Sequence, residues 1–429
     1  MSAAARVASG AGQLSLYQLL DPAVLADPYP LFRRLRSEDP VHWDPFLRVW
    51  VVTRYADVVT VLRQFSAARA PNPEQLAAMR LPDLAPIAQV MARQMLFLDP
   101  PAHTRLRALA AAAFTPRRVE SLGERIQQIA DRLVDGFAAR GRCDLMAEFA
   151  GPLPAIVTAE LLGVPVEDHA QLRAWTTDFG EILGNFQYNA DRVARVRRSL
   201  DGMSGYFEAA IRERRQGRRQ AGGLLSALLE ADVDGGRLSD EEVIATTIIT
   251  MVGGQETTTN LIGNGILTLL RHPTALEQLR TEAALLPGAV EELLRYESPS
   301  QHTARLAPED LELGGRPIRK RQAVIAVMAA GNRDPERFPE PDRVDLARAD
   351  KRHLAFGWGA HFCFGAMLAR LEGSVAFATL LRRLPGLTLG PGPLSWRMNL
   401  GLRGLTALPL RWDAVAAGAP ARPPARPAA

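Results

Sequence analysis

Apolar positions recur three and four residues apart over most of the chain from Ala102 to Arg219, the repeat expected of helices that bury one face. Glycine and proline interrupt it at Gly141, at Gly151 to Pro154 and at Gly163 to Pro165, where breaks are expected. Further on, Ser239-Asp-Glu-Glu242 has the form of a capping box, and the helix it opens need not stop before His272-Pro273. About thirty residues at ~1.5 Å each span roughly 45 Å, enough to cross the whole molecule. Another helix follows Leu286-Pro287-Gly288 and carries Glu292 and Arg295. Strand-like sequence is confined to short runs: Val41-His-Trp and Val49-Trp-Val-Val-Thr53, turning at Asp44-Pro45, then Thr303 to Leu313, Ala323 to Met328, and parts of 385–411. A short helix from Asp27 to Arg36 precedes the first of these. Prolines at 71, 73, 82 and 86 predict a long irregular stretch over 70–86, and the segment from Gly331 to Arg352 predicts a meander. The pattern is that of a mainly α chain with small β-sheets.

Composition narrows this picture. At 429 residues the chain exceeds the size at which one core usually stops growing, yet no linker-like stretch divides it. Residues 1–20 read as a flexible lead and 413–429, rich in Ala and Pro, as a disordered tail. The longest apolar stretch, Val243 to Leu270, is interrupted by Gln255, Glu256, Asn260 and Asn264, so no membrane span is expected. The net charge of +4 is diffuse. Its one local run, Arg212, Arg214, Arg215, Arg218 and Arg219, reads as a solvated helix end; without a recognition fold or interleaved aromatics it does not point to nucleic acid. The two cysteines, Cys143 and Cys363, lie far apart, which argues against a disulfide framework and fits a reducing cytoplasm.

Cys363 carries the chemistry. It sits in Phe356-Gly357-Trp358-Gly359-Ala360-His361-Phe362-Cys363-Phe364-Gly365, a glycine-punctuated loop that runs into a helical pattern. A sulfur just ahead of a helix meets unpaired amides and the positive end of the helix dipole, and both favour the thiolate. Glycines let the backbone turn tightly and approach a flat ligand, and a haem iron uses both properties. Phe356-Gly357-x-Gly359-x-His361-x-Cys363-x-Gly365, followed by Leu368-Ala369-Arg370, closely resembles the haem-binding signature of the cytochrome P-450 family. The resemblance implies one large helical domain over 21–412, with the long helix crossing above a haem b whose iron takes Cys363 as axial ligand. Zinc at His361-x-Cys363 with His353 upstream is the alternative, but it would need two more soft or imidazole ligands, and no cysteine remains nearby.

Other residues gain meaning from that likeness. Gly253-Gly254 in mid-helix costs about 1 kcal/mol per glycine against Ala and so needs a reason. Room above a haem is one such reason. Thr257 can bond back to a preceding carbonyl, and Glu256 places an acid beside it. Together they resemble the family's acid-alcohol pair, which relays protons to bound dioxygen; the family more often has Ala where this chain has Gly253. Glu292 and Arg295 resemble the family's Glu-x-x-Arg core motif, which a further arginine joins from the meander. Arg337 and Arg343 compete for that place, and spacing to the cysteine loop favours Arg343. His103 and Arg107 stand four apart and share a helix face. With Arg305 and His361 they match the family's haem-propionate contacts.

The function implied is a monooxygenase that inserts one oxygen atom from O2 into an apolar small molecule. No Gly-x-Gly-x-x-Gly lies between a strand and a helix, so NAD(P)H is expected to act indirectly, through a ferredoxin or flavodoxin and its reductase, on a monomeric enzyme. A peroxide-driven peroxygenase and a non-catalytic haem sensor are the alternatives; the first lacks the acid-alcohol pair and the second needs neither of its members. By resemblance, pocket walls are expected from 70–96, Phe179 to Tyr188, Ile249 to Gly253, Pro299 to Thr303 and Met398 to Leu402.

Overall fold

The computed structural model describes residues 13–185, 188–218, 222–233 and 235–413. Six of its helices position the site: α1 (Ala102–Ala113), α2 (Pro152–Leu162), α3 (His169–Gly184), α4 (Asp240–Arg271), α5 (Leu286–Tyr296) and α6 (Ala366–Arg383). The long helix α4 begins where the sequence places its cap. Ser239 accepts a hydrogen bond from the Glu242 amide at 3.2 Å, and the Glu242 carboxylate accepts one from the Ser239 amide at 3.0 Å. Two amides that the first turn leaves unpaired are thereby satisfied. At the other end Pro273 cannot continue the amide ladder and opens the next helix instead.

From Val243 to Leu269 α4 is buried on most sides, with α2, α3, α5 and α6 packed around it. This explains the apolar stretch that resembles a membrane span in length only, and among the described residues no helix is long and apolar enough to cross a membrane. The close approach of α6 depends on Gly265. A Cβ there would lie 2.4 Å from the ring of Phe377, so a side chain would force the two helices apart.

A four-stranded sheet flanks this bundle in the order β1 (Val41–Asp44), β2 (Val49–Val52), β4 (Ala323–Ala326) and β3 (Thr303–Leu306). The first pair is an antiparallel hairpin, β2 runs parallel to β4, and β3 runs antiparallel to β4 with Arg305 opposite Val324. Two small sheets complete the β structure: Arg142–Asp144 with Pro409–Arg411 and Thr388–Leu389, and Leu311–Leu313 with Arg316–Ile318.

The structure corrects several sequence expectations. The stretch 70–86 is largely helical: Pro73 opens a helix over Pro73–Ala78 whose cap is an Asn72–Gln75 box, and Pro86 lies in the first turn of Ala85–Met91. Proline in a first turn sacrifices only an amide that would be unpaired anyway, so it starts these helices rather than breaking them. Gly151 to Pro154 is no break either, because a π-turn over Met146–Ala150 runs straight into α2. The expected lead over 1–20 is packed from Leu14 onward. Leu14, Leu16 and Leu19 are buried, and the Ser15 hydroxyl and Leu16 amide both donate to Asp44, at 2.8 and 2.9 Å. Residues 1–12, Arg219 and the tail from 414 lie outside the described residues.

The core ion network also differs from expectation. Glu292 and Arg295 pair through two bonds of 2.8 Å, but the third side chain is neither Arg343 nor Arg337. It is Arg348, whose Nε lies 3.2 Å from both Glu292 oxygens. Arg343 turns outward to Glu340 and Asp345 and contributes only its carbonyl, while Arg337 pairs with Asp350. The meander is folded so that its backbone carbonyls face the two buried guanidinium groups. Pro341 O and Asn332 O accept from Arg295, and Pro339 O accepts from Arg348.

Candidate active site

Gly357 and Gly359 both take left-handed backbone angles, φ near 70°, and fold the segment before Cys363 into a tight loop pinned by a 2.8 Å bond from the Cys363 amide to Phe356 O. Two residues beyond the cysteine, Gly365 caps α6. Its amide donates toward the sulfur, which, with Arg107 and Arg370 nearby, pulls the thiol's pKa down. Burial acts in the opposite direction and dominates, so the thiol's pKa stands above its ordinary value.

The sulfur borders a cavity of about 310 Å³ enclosed between the cysteine loop and α4. Gly365 on the loop side and Gly253 on α4 both line it, and a Cβ at either would meet nothing within 4 Å. A flat group inserted here would find bare backbone on both faces.

Cationic side chains gather at this cavity, and the acid that also lines it, Glu372 on α6, has its pKa raised by burial. Arg305, on β3, is 3% exposed; it donates to Thr303 Oγ1 and Ala304 O, and its Nε has no partner. Burial lowers its pKa to about 10. Arg69 donates to the carbonyls of Ala67 and Leu96, both at 3.2 Å, and lies over the Phe97 ring. Burial and then the like charge of Arg305 hold its pKa at about 9. The His103 ring, from α1, stacks 4.1 Å from that of His361, and His103 Nε2 is buried without a partner. Desolvation and these neighbouring cations hold both imidazoles neutral, His361 down to about 3. Arg107, one turn beyond His103, donates to Phe362 O at 2.7 Å and so clamps α1 to the cysteine loop. Asp99, the nearest acid, is already engaged by Ser66 and the Ala67 amide.

Opposite the sulfur, Thr257 Oγ1 donates to Gly253 O at 2.5 Å, turning back along its own helix. Glu256 faces elsewhere. One of its oxygens accepts from Thr177 on α3 at 2.7 Å, and the other pairs with Arg397.

The arrangement fits a haem: an ionisable sulfur below, bare backbone on both faces, and at one edge cations bonded to neutral acceptors but to no carboxylate, where two propionates would complete the charge. The cytochrome P-450 family profile matches residues 40–385. The chain belongs to that family. It is 44% identical over 402 residues to the cytochrome P-450 monooxygenase PikC of Streptomyces venezuelae, covering 90% of this chain and 91% of that one. It is 40% identical to the vitamin D(3) 25-hydroxylase of Pseudonocardia autotrophica, covering 90% and 93%. The crystal structure of the myxobacterial cytochrome P-450 CYP267B1 in complex with myristic acid superposes with a TM-score of 0.84 at 39% identity, covering 93% of this chain and all of that one. The protein is accordingly a haem-thiolate monooxygenase that uses haem b, O2 and reducing equivalents from NAD(P)H delivered through partners. Bound in this cavity, haem b supplies the activation of O2 that ends with one oxygen atom in the substrate.

Of the seven residues expected at the haem or in the proton relay, Thr257, Arg107, Arg305, His361 and Cys363 line this cavity, His103 packs on His361 beside it, and Glu256 faces away. Of the expected walls, Ile249, Gly253, Pro299, Thr303 and Leu402 line it, whereas from 70–96 only Met95 and Leu96 do. Phe179 is packed in the core, and Leu183, one turn on, faces the cavity instead. Sequence reasoning missed Arg69 and Arg397. Arg69 follows Phe65-Ser-Ala-Ala with no motif around it, and Arg397 is 141 residues from the acid it meets.

Proposed function

We propose that Cys363 is the axial ligand of the haem iron, that Arg69, Arg107, Arg305, His103 and His361 hold the haem's propionate edge, and that Glu256 and Thr257 relay protons to the oxygen being reduced. The observation that supports this most directly is the single cavity bordered by Cys363 on one side and Thr257 on the other, with unpaired guanidinium groups at its rim. Cys363 would hold a haem iron and as a thiolate would lend it electron density, and the hydroxyl of Thr257 can donate into the cavity once it leaves Gly253 O.

The substrate is an apolar small molecule, and the oxidation is a hydroxylation or epoxidation. Leu96, Leu183, Ile249, Leu294 and Leu402 make the walls mostly hydrocarbon, and vitamin D(3) and myristic acid, named with two relatives, are molecules of that kind. Electrons come from a ferredoxin or flavodoxin with its own reductase, docking over the cysteine loop. Exposed Phe362 and Met367 offer an apolar centre there, with Arg63 beside Gly359 and Arg107 on the Phe362 carbonyl as flanking cations. Every residue named comes from one chain, so a monomer suffices. The two cysteines are unpaired, which suits a cytoplasmic setting.

Two measurements test the reading. Terpenes, fatty acids, polyketides and steroids are titrated for the low- to high-spin shift of the haem, and turnover of any that binds is expected to need both NAD(P)H and an added ferredoxin or flavodoxin system; turnover with NAD(P)H alone would refute the external partner. Cys363→Ser is expected to lose the far red-shifted Soret band of the reduced, CO-bound enzyme, and a retained band would remove Cys363 as ligand.

A further inference from the structure

Neighbours in a helix point about a quarter-turn apart, so Glu256 and Thr257 cannot face the same partner from their places on α4. Thr257 lines the cavity, whereas Glu256 turns toward α3 and the loop 397–402. Both oxygens of this buried carboxylate are engaged there, one by Thr177 and the other by Arg397, and Arg173 on α3 adds a further positive charge. The Arg397 side chain is 24% exposed against 7% for Glu256, so the guanidinium joins the buried acid to solvent.

The surrounding contacts make this junction a built one. Asn399 donates to Gly180 O at 2.9 Å and accepts from the amides of Gly401 and Leu402. Arg397 is tied back to Gly404 O at 2.9 Å. Gly180 and Gly184 leave the face of α3 bare, and a Cβ at Gly184 would lie 1.9 Å from Asn399 Oδ1. A Cβ at Gly180 would touch both Glu256 and Leu402, at 3.5 and 3.6 Å. Leu402 in turn lines the substrate cavity, so the loop that holds the acid also forms part of the substrate's wall.

We infer that Arg397 is the positioning residue of the proton relay: with Thr177 it holds Glu256 at a solvent port between α3 and loop 397–402, where the acid collects a proton before turning toward Thr257. The inference rests on the reading of Glu256 and Thr257 as the relay. Protons then enter from the α3 side of the molecule, away from the cysteine face where the redox protein docks.

The test uses the haem-loaded full chain with an added ferredoxin, its reductase and NADPH, and reads the share of NADPH electrons recovered as hydrogen peroxide. Arg397→Gln is expected to raise that share at least about threefold, because the acid is no longer held in place at the port. Arg397→Lys is expected to restore most of the loss, and Arg397→Gln is expected to add nothing in a Glu256→Gln background. Infrared difference spectra give a second readout that needs no turnover: a protonated-carboxyl stretch appears in Arg397→Gln and vanishes in the double variant. If Glu256→Gln raises peroxide while Arg397→Gln leaves peroxide and infrared unchanged, the positioning role is wrong and the relay stands. If Glu256→Gln itself behaves as wild type, the relay reading fails, and the inference with it.

Discussion

The Glu292 cluster and the Arg69–Arg305 cluster are built from similar side chains and are both withdrawn from water, yet their accounts of charge end differently. Around Glu292 every group is answered: two guanidinium groups share one carboxylate, the Asp345 amide donates to the same carboxylate at 2.9 Å, and meander carbonyls take the remaining N–H groups. Around Arg69 and Arg305 burial lowers the proton affinity of both, the charge of Arg305 lowers that of Arg69 further, and Asp99, the acid that acts on Arg305, is already engaged by Ser66 and the Ala67 amide. Buried charge that is fully paired belongs to the scaffold, whereas buried charge left open is a request for a ligand. The protein folds the first cluster for itself; on the reading proposed above, the propionates of haem would complete the second.

The contrast breaks first, and hardest, at Arg348. Arg348→Ala is expected to cost about 3–5 kcal/mol in denaturant unfolding, since it removes one partner of a buried pair, while Arg343→Ala, at an exposed pair, is expected to cost less than about 1 kcal/mol. Equal costs would return the third place to Arg343.

Next comes Arg69. In Arg69→Met, haem transfer to an excess of apomyoglobin is expected to run roughly tenfold faster, the loss of a charge-assisted contact of about 1.5 kcal/mol or more. The haem-free chain, relieved of two facing cations, is expected to melt no lower than its parent. A haem-free chain as destabilised as the Arg348 variant would place Arg69 in the scaffold.

The smallest effect belongs to Glu291, the neighbour of Glu292 on α5, which pairs with Arg370 and His353. Burial alone would raise its pKa, but hydrogen bonds from His353 and Arg370 outweigh that and hold it at about 2. A carboxylate depressed in the folded state contributes stability that is complete above the ordinary carboxylate range and is lost as pH falls. Wild-type stability is therefore expected to drop by on the order of 1–2 kcal/mol between about pH 4.5 and pH 2, and Glu291→Gln to flatten that interval. An unchanged acid limb in the variant would show that the pair carries no net stabilisation.

What could be read in the chain beforehand follows a physical divide. Local chemistry was legible: the Ser239 box and Pro273 bound α4, and the glycines around Cys363 mark the loop. His103 and Arg107 could be placed together because helix geometry fixes their spacing. Pairings across long sequence separations were not legible. Arg348 displaces Arg343 through the path of an irregular meander, and Arg397 finds Glu256 only because two glycines let a distant loop lie flat on α3. Prolines 73 and 86 misled for another reason, since a residue that ends a helix from within also begins one from its first turn.

The parallel pairing of β2 with β4 sets an order of assembly. Trp50 lies against Val324, so the hairpin near the start of the chain has no permanent neighbour on that edge until residues beyond 326 have left the ribosome. Contacts of such high sequence separation are entropically late, because a long loop must close before they return anything. Cys363, the proposed haem ligand, follows still further along. Capture of a cofactor through Cys363 would thereby wait until the frame that must receive it has closed.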